Sequence, residues 1–349
     1  LKAAIYEGPG KMEIREVSVP TFRESEILLK VNACAICGTD MRIFEHGQKN
    51  VVPPQIIGHE IAGEIAALGE KVEGYQIGDR AIVVTPVGCG RCDYCRRGIH
   101  NLCPNLKAMG YYYPGGFAQY MVVPAEAVNQ GNVITFTPDL SYEEATLAEP
   151  LSCCINGQEY LNIQIGDTIV VIGAGPIGCM HAELSKSQGA TRVILADVSD
   201  TRLELARRFS ADFLVNNARD DLVAKVRELT AGRGTEVVIV ACGANSAQEQ
   251  ALQLAAPQAR ISFFAGLPKD NPYIRLDSNV LHYKEISIYG AFASHASQYV
   301  KALALIAAHK VPARKIITHT FPLGRIVEAI KLAKSGEGLK VVIQPWVEG

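Results

Sequence analysis

The chain has 349 residues, 48% hydrophobic and 20% charged, with a formal net charge of −2. That length exceeds what one core usually fills, so two domains are expected, and the near-neutral balance offers no broad basic face for nucleic acid. Every apolar run meets Gly, Pro or charge before the ~20 residues of a bilayer span, so no membrane partner is expected. The ten cysteines, on a chain that opens strand-like rather than with a signal-peptide pattern, read as reduced thiols of a cytoplasmic protein.

Residues 2–6, 26–31, 61–68 and 80–84 combine β-branched or aromatic residues with turn punctuation, and glycines at 58, 63, 69, 74 and 78 fit tight reversals. The first part is therefore expected to be a bent, mostly β domain. Residues 88–107 have little periodicity and read as an excursion whose order comes from metal. A strand pattern returns at 115–124, and helical spacing over 140–159 is interrupted at Pro150. From 165 the rhythm changes. Strands at 168–172, 192–197, 213–215, 237–241, 261–265 and 286–289 alternate with helices at 177–187, 201–209, 222–229 and 247–255. Such alternation predicts an α/β unit, a doubly wound parallel sheet. The tail reads as helices at 297–308 and 323–334 with strands at 315–319 and 340–343, and periodicity assigns it to neither sheet.

Three constellations carry chemistry. Cys89-x2-Cys92-x2-Cys95-x7-Cys103 can converge four sulfurs on one ion, which suits zinc in a closed structural site. Gly90, Arg91, Asp93, Arg96, Arg97 and Gly98 between them do not look like core; an iron-sulfur cluster is the rival, because sulfur donors alone do not name the metal. Arg91, Arg96, Arg97 and His100 make only a small positive patch, which reads as solvated surface. Second, Gly173-Ala174-Gly175-Pro176-Ile177-Gly178 lies between a predicted strand and helix, with Asp197 at the end of the next strand. The glycines allow a tight turn, close approach of a pyrophosphate and close helix packing, and the helix start offers free N–H groups. The Asp197 carboxylate can accept two ribose hydroxyls and would repel a ribose phosphate, which points to NAD. Arg202 could be drawn to such a phosphate instead, and a flavin or an unliganded turn are the other readings. Third, Cys37, His59 and Glu60 offer a sulfur, an imidazole and a carboxylate outside the four-cysteine cluster, the donor count of a catalytic zinc with an open position. Glu149, before Pro150, is a further candidate ligand, directly or through a water.

Together, Cys-Gly-Thr-Asp at 37–40, Gly-His-Glu at 58–60, the four cysteines, Glu-Pro-Leu at 149–151 and the glycine turn at 173–178 resemble the zinc-dependent medium-chain alcohol dehydrogenase family, within its polyol (sorbitol-like) and threonine dehydrogenase branches. The resemblance implies a GroES-like catalytic zinc domain over 1–155 and 293–349, and a NAD-binding Rossmann domain over 156–292. It also implies catalytic-zinc positions at Cys37, His59 and Glu60, a glutamate at 149 that contacts the metal or its water, and a homodimer or homotetramer. The implied activity is reversible NAD-dependent oxidation of a secondary alcohol of a polyol or sugar-derived substrate, with Thr39 as the first proton acceptor.

Three departures bear on the substrate. Polyol dehydrogenases often carry Arg and Tyr where this chain reads Gly290-Ala291-Phe292-Ala293-Ser294, which weighs against sorbitol itself. Threonine dehydrogenases tend to have Asp-Pro-Phe where this chain has Glu149-Pro150-Leu151. Arg42 stands where relatives place a relay histidine, and an arginine stays protonated. Threonine or a simple secondary alcohol is the alternative substrate, and a non-catalytic zinc-stabilised binding protein is the alternative class. Tyr111, Tyr112, Tyr113 and Phe292 are candidates for a pocket wall, with packing as the ordinary reading of such aromatics.

Overall fold

Strand Ile27–Ala35 organises the first half of the chain. The computed structural model describes residues 1–348, which divide into two compact units: one of Leu1–Ser152, Ala293–His309 and the tail from Ala313, the other of Cys153–Phe292 with Lys310–Pro312. In the first unit Ile27–Ala35 pairs antiparallel with Glu60–Leu68 along its length. Its other edge is shared by Tyr120–Val123, which pairs with residues 27–30, and by Lys340–Gln344, which meets it at Cys34 and Ala35. Register shifts between Leu28 and Leu29 and between Val31 and Ala33 bend the strand. Ile27, Leu29 and Val31 enter one apolar core with Ile61, Ile65, Phe117 and Met121.

Periodicity leaves the tail between two sheets, and strand pairing assigns it. Ile317–Pro322 runs parallel to Lys340–Gln344, and both belong to the seven-stranded sheet of the first unit. Helix Ile326–Ser335 covers them with Ile326, Ala329 and Ile330 buried. A second local difference concerns Pro150. The break falls earlier, at Leu147, and helix Ala148–Glu159 runs through the proline. Pro150 lies in the first turn, where a missing N–H removes no intrahelical bond.

The second unit holds a six-stranded sheet in the order Phe213–Asn216, Arg192–Asp197, Thr168–Ile172, Thr235–Val240, Ala255–Phe263, Ser287–Gly290. Every neighbouring pair is parallel. The strand order reverses between Thr168–Ile172 and its two neighbours, which is where such sheets bind ligands at the strands' carboxyl ends. Thr168–Ile172 is buried at every position, as a central strand covered on both faces requires. The whole molecule thus combines a GroES-like β domain with a Rossmann-like parallel-sheet domain. Among the described residues no helix is long and apolar enough to cross a membrane.

Candidate active site

The turn after Thr168–Ile172 is built from glycines for steric reasons. Gly173 has φ +110°, and a Cβ on Gly178 would overlap the Gly173 carbonyl. A Cβ on Gly175 would meet nothing nearer than Arg202 Nη1 at 3.9 Å, so the turn presents open space there. Helix Pro176–Ser187 begins with Pro176 at its first position and no side-chain cap, which leaves the N–H groups of Ile177 and Gly178 without a capping side chain. Asp197 is buried at the end of its strand; Oδ2 accepts from Ala174 N at 2.7 Å and Oδ1 from Ser199 N at 2.9 Å. Each oxygen keeps a lone pair for a sugar hydroxyl. Arg202 Nη1 stands 3.9 Å from Asp197 Oδ2, so the arginine is already drawn to that carboxylate. The cradle of open backbone and anchored acid fits a nicotinamide dinucleotide.

Cys89, Cys92, Cys95 and Cys103 bring their sulfurs within 4.8 Å of one another. Cys92 Sγ lies 3.5 Å from Cys95 Sγ and 3.8 Å from Cys103 Sγ. A tetrahedron with Zn–S bonds of about 2.3 Å has edges of about 3.8 Å, so the spacing fits zinc and is far too long for disulfides. Short helix Asp93–Arg96 and a 3-10 turn at His100–Leu102 wind the chain around the cluster. Backbone N–H groups of Arg91 and Cys92 pull the Cys89 thiol down to about 6, toward the thiolate that a metal requires.

The third cluster is assembled from distant segments. Cys37 precedes helix Gly38–His46, and His59 directly precedes strand Glu60–Leu68, which Glu60 opens. Their donor atoms lie within 4.8 Å of one another. Asp40, wholly buried, ties the set together: Oδ2 accepts from Cys37 N at 2.9 Å, while Oδ1 sits 3.3 Å from His59 Nδ1. An acid behind Nδ1 leaves Nε2 to face an ion, the usual support of a metal-bound imidazole. Lys340 Nζ, also buried, donates to Glu60 Oε1 at 2.5 Å and to the Ile36 carbonyl at 3.1 Å. Glu60 Oε2 is left buried without a partner. An orphaned carboxylate oxygen beside a thiol and an imidazole is a position suited to a cation. For His59, burial opposes charge, but its electrostatic interactions with Tyr111, Asp40 and Cys37 outweigh it and raise the imidazole well above its ordinary range. The same field would hold a metal ion, and this donor set suits zinc.

Glu149 lies outside the converging set of Cys37, His59 and Glu60. Its carboxyl is nonetheless enclosed, and burial pushes it up to about 7, with His59, Glu60, Lys340 and Asp40 within electrostatic reach. Thr39 follows Cys37 on the same helix, and its Oγ1 accepts from Arg42 Nη2 at 3.2 Å. Asp40 and Lys340 were not singled out from sequence. Asp40 carried a usable signal, since an acid three residues after a helix-capping Cys37 is a capping-box pattern. Lys340 carried none, being 280 residues from Glu60.

Known proteins give the same two-part picture. Residues 23–132 match the alcohol dehydrogenase GroES-like domain, and residues 176–308 match the zinc-binding dehydrogenase domain. The chain is 36% identical to L-threonine 3-dehydrogenase of Pyrococcus horikoshii over 336 residues, 95% of this chain and 94% of that protein. It is 33% identical to sorbitol dehydrogenase of Bacillus subtilis over 351 residues, 99% and 97% of the two. A zinc-binding dehydrogenase structure from Sinorhizobium meliloti 1021, bound to NADP, superposes with TM-score 0.92 at 29% identity, covering 99% of each chain.

Proposed function

The chain belongs to the zinc-dependent medium-chain dehydrogenase/reductase family, and on that premise we propose that this zinc-type NAD(P)-dependent oxidoreductase uses NAD to convert a secondary alcohol of a polyol or sugar-derived substrate reversibly to the ketone. The observation that carries the reading is the Cys37, His59 and Glu60 cluster, with Glu60 Oε2 buried and unpartnered. Three donors leave a coordination position open, as catalytic zinc requires and the four-cysteine site does not. The choice of NAD rests on Asp197, whose buried charge opposes a ribose phosphate at the cofactor turn.

Bound there, zinc would supply Lewis acidity toward an alcohol oxygen, and a nicotinamide would supply the hydride acceptor. Cys37, His59 and Glu60 would hold the ion, with Asp40 placed behind the first two. Thr39 Oγ1 takes the alcohol proton as the carbon–hydrogen pair leaves. Arg42 Nη2, donating into that oxygen, stabilises negative charge there and frees the threonine's own proton to pass toward solvent. Arg42 stays charged and is not the terminal base. Glu149 completes the polar wall, within electrostatic reach of His59 and Glu60, and would act on an ion there directly or through a water.

The similarity to a threonine dehydrogenase keeps oxidation of threonine as the second reading. The test is NADH formation across polyols, simple secondary alcohols and threonine, with wild type and Cys37→Ala. Turnover of polyols that falls at least a thousandfold in a folded variant, retaining one zinc of two, is expected on the scale of lost metal catalysis. Undiminished turnover in that variant defeats the mechanism, and turnover of threonine alone gives the second reading.

A further inference from the structure

Lys284 follows helix Ser278–Tyr283, and its Nζ donates to the Ala255 carbonyl at 2.8 Å. Ala255 opens strand Ala255–Phe263, so this tie lies at the amino end of the parallel sheet. The glycine turn follows a carboxyl end and is on the opposite rim. Beside Lys284 is a cleft of about 440 Å³ inside the second unit, walled by helix Leu222–Leu229, helix Asn245–Leu254 and residues 275–284. Hydrogen bonds to backbone fix those walls. Asn245 Nδ2 donates to the Asn271 and Tyr273 carbonyls at 3.0 and 2.7 Å, and Glu249 Oε1, one turn along the same helix, accepts from Arg275 N at 2.8 Å. Asp277 Oδ1 accepts from Asn279 N at 2.9 Å and from Val280 N at 3.3 Å.

Both acids of the cleft therefore hold backbone in place, and the cations are left over. Among the described residues neither the Arg227 nor the Arg275 guanidinium has an ion-pair or hydrogen-bond partner, although both line the cleft. Lys284 keeps two of its three N–H donors after its bond to Ala255. One exposed arginine reaching into water would point to nothing. Here two of them and a lysine, carried by three separate segments, line one cleft together with the apolar side chains of Leu252 and Val280. A carboxylate has two oxygens, which one guanidinium fork already uses. A phosphoryl group has three terminal oxygens in a tetrahedral array and can engage two forks and an ammonium together. The cleft volume is also that of small-ligand sites. We propose that this cleft is a second ligand site, separate from the cofactor turn, which binds a phosphoryl group through Arg227, Arg275 and Lys284, supplied by a small phosphate monoester or by free phosphate.

The full-length, zinc-loaded protein is titrated by calorimetry with glycerol phosphate, inorganic phosphate and acetate, as wild type and as Arg227→Gln, Arg275→Gln and Arg202→Gln. The last variant removes the same charge at the cofactor turn, the competing anion site, and melting temperatures establish that each variant is folded. Saturable binding of glycerol phosphate is expected, weakened about tenfold or more by Arg227→Gln and by Arg275→Gln, the size of a charge-assisted hydrogen bond, and less than about twofold by Arg202→Gln. Acetate is expected to bind at least about tenfold more weakly than either phosphate. Glycerol phosphate binding more tightly than inorganic phosphate identifies the ester as the ligand, its carbon body lying against Leu252 and Val280; inorganic phosphate binding as tightly or more so identifies the free ion. Absence of saturable binding, binding unchanged in Arg227→Gln and Arg275→Gln, an equal loss in Arg202→Gln, or acetate binding as tightly as phosphate overturns the proposal.

Discussion

The two metal-ligand clusters differ in where their donors come from. Cys89, Cys92, Cys95 and Cys103 sit in fifteen consecutive positions and supply four sulfurs by themselves. Cys37, His59 and Glu60 come from a helix start and a strand, and depend on Asp40 and Lys340 for their orientation. The first cluster can complete a tetrahedron locally and is thereby closed to substrate. The second is held incomplete by the surrounding fold, which leaves room for chemistry. A closed site is therefore specified by spacing, and an open one by architecture.

Breaking the local cluster is the strongest way to separate the two. Cys92→Ser should remove one zinc of two and expose residues 88–107 to protease, since little apolar packing replaces the metal's contribution to folding, which is about 10 kcal/mol or more in zinc-coupled systems. Metal analysis with limited proteolysis reads the outcome, and protection equal to wild type would show that the lobe is packed without its ion. A smaller effect is expected from the support of the open cluster. In the metal-free protein, Lys340→Met leaves Glu60 buried and unpaired, at a cost of about 3–5 kcal/mol, and adding Glu60→Gln should restore most of it. Denaturant unfolding of the single and double variants checks this; a single-variant loss below about 1 kcal/mol would mean that the pair is not buried as described. Smaller again is Asp40→Asn, which weakens the acid behind His59. It should lower zinc affinity of the open cluster about 10–100-fold and leave the four-cysteine site unchanged, as competition with a chelator would measure. Equal weakening at both sites would contradict independent support.

Legibility in the sequence follows the same division. The four cysteines, the glycine turn and the alternating strands of the second unit announce themselves because their physics is local: ligand spacing, a tight turn and buried parallel strands. Cys37, His59 and Glu60 were readable as donor types, but their convergence depends on the pairing of Ile27–Ala35 with Glu60–Leu68, which brings Ala35 opposite Glu60. Tyr111 was one aromatic among three in a row, and nothing in that run distinguishes the ring that lies against His59 from its neighbours. The tail could not be assigned because strands 315–319 and 340–343 are too short for periodicity to choose a partner. Pro150 misled for a simpler reason, since its effect depends on its distance from the helix start.

The bond between Lys340 and Glu60 also sets an order of events during synthesis. A nascent chain can wrap the four-cysteine lobe around an ion soon after residue 103 leaves the ribosome. Glu60 must wait for Lys340, 280 residues further along the chain, with the whole of the second unit translated in between. The Cys37, His59 and Glu60 cluster thus gains its counter-charge only after that strand has been made, and a product truncated before it would keep all four clustered cysteines while leaving Glu60 without its lysine.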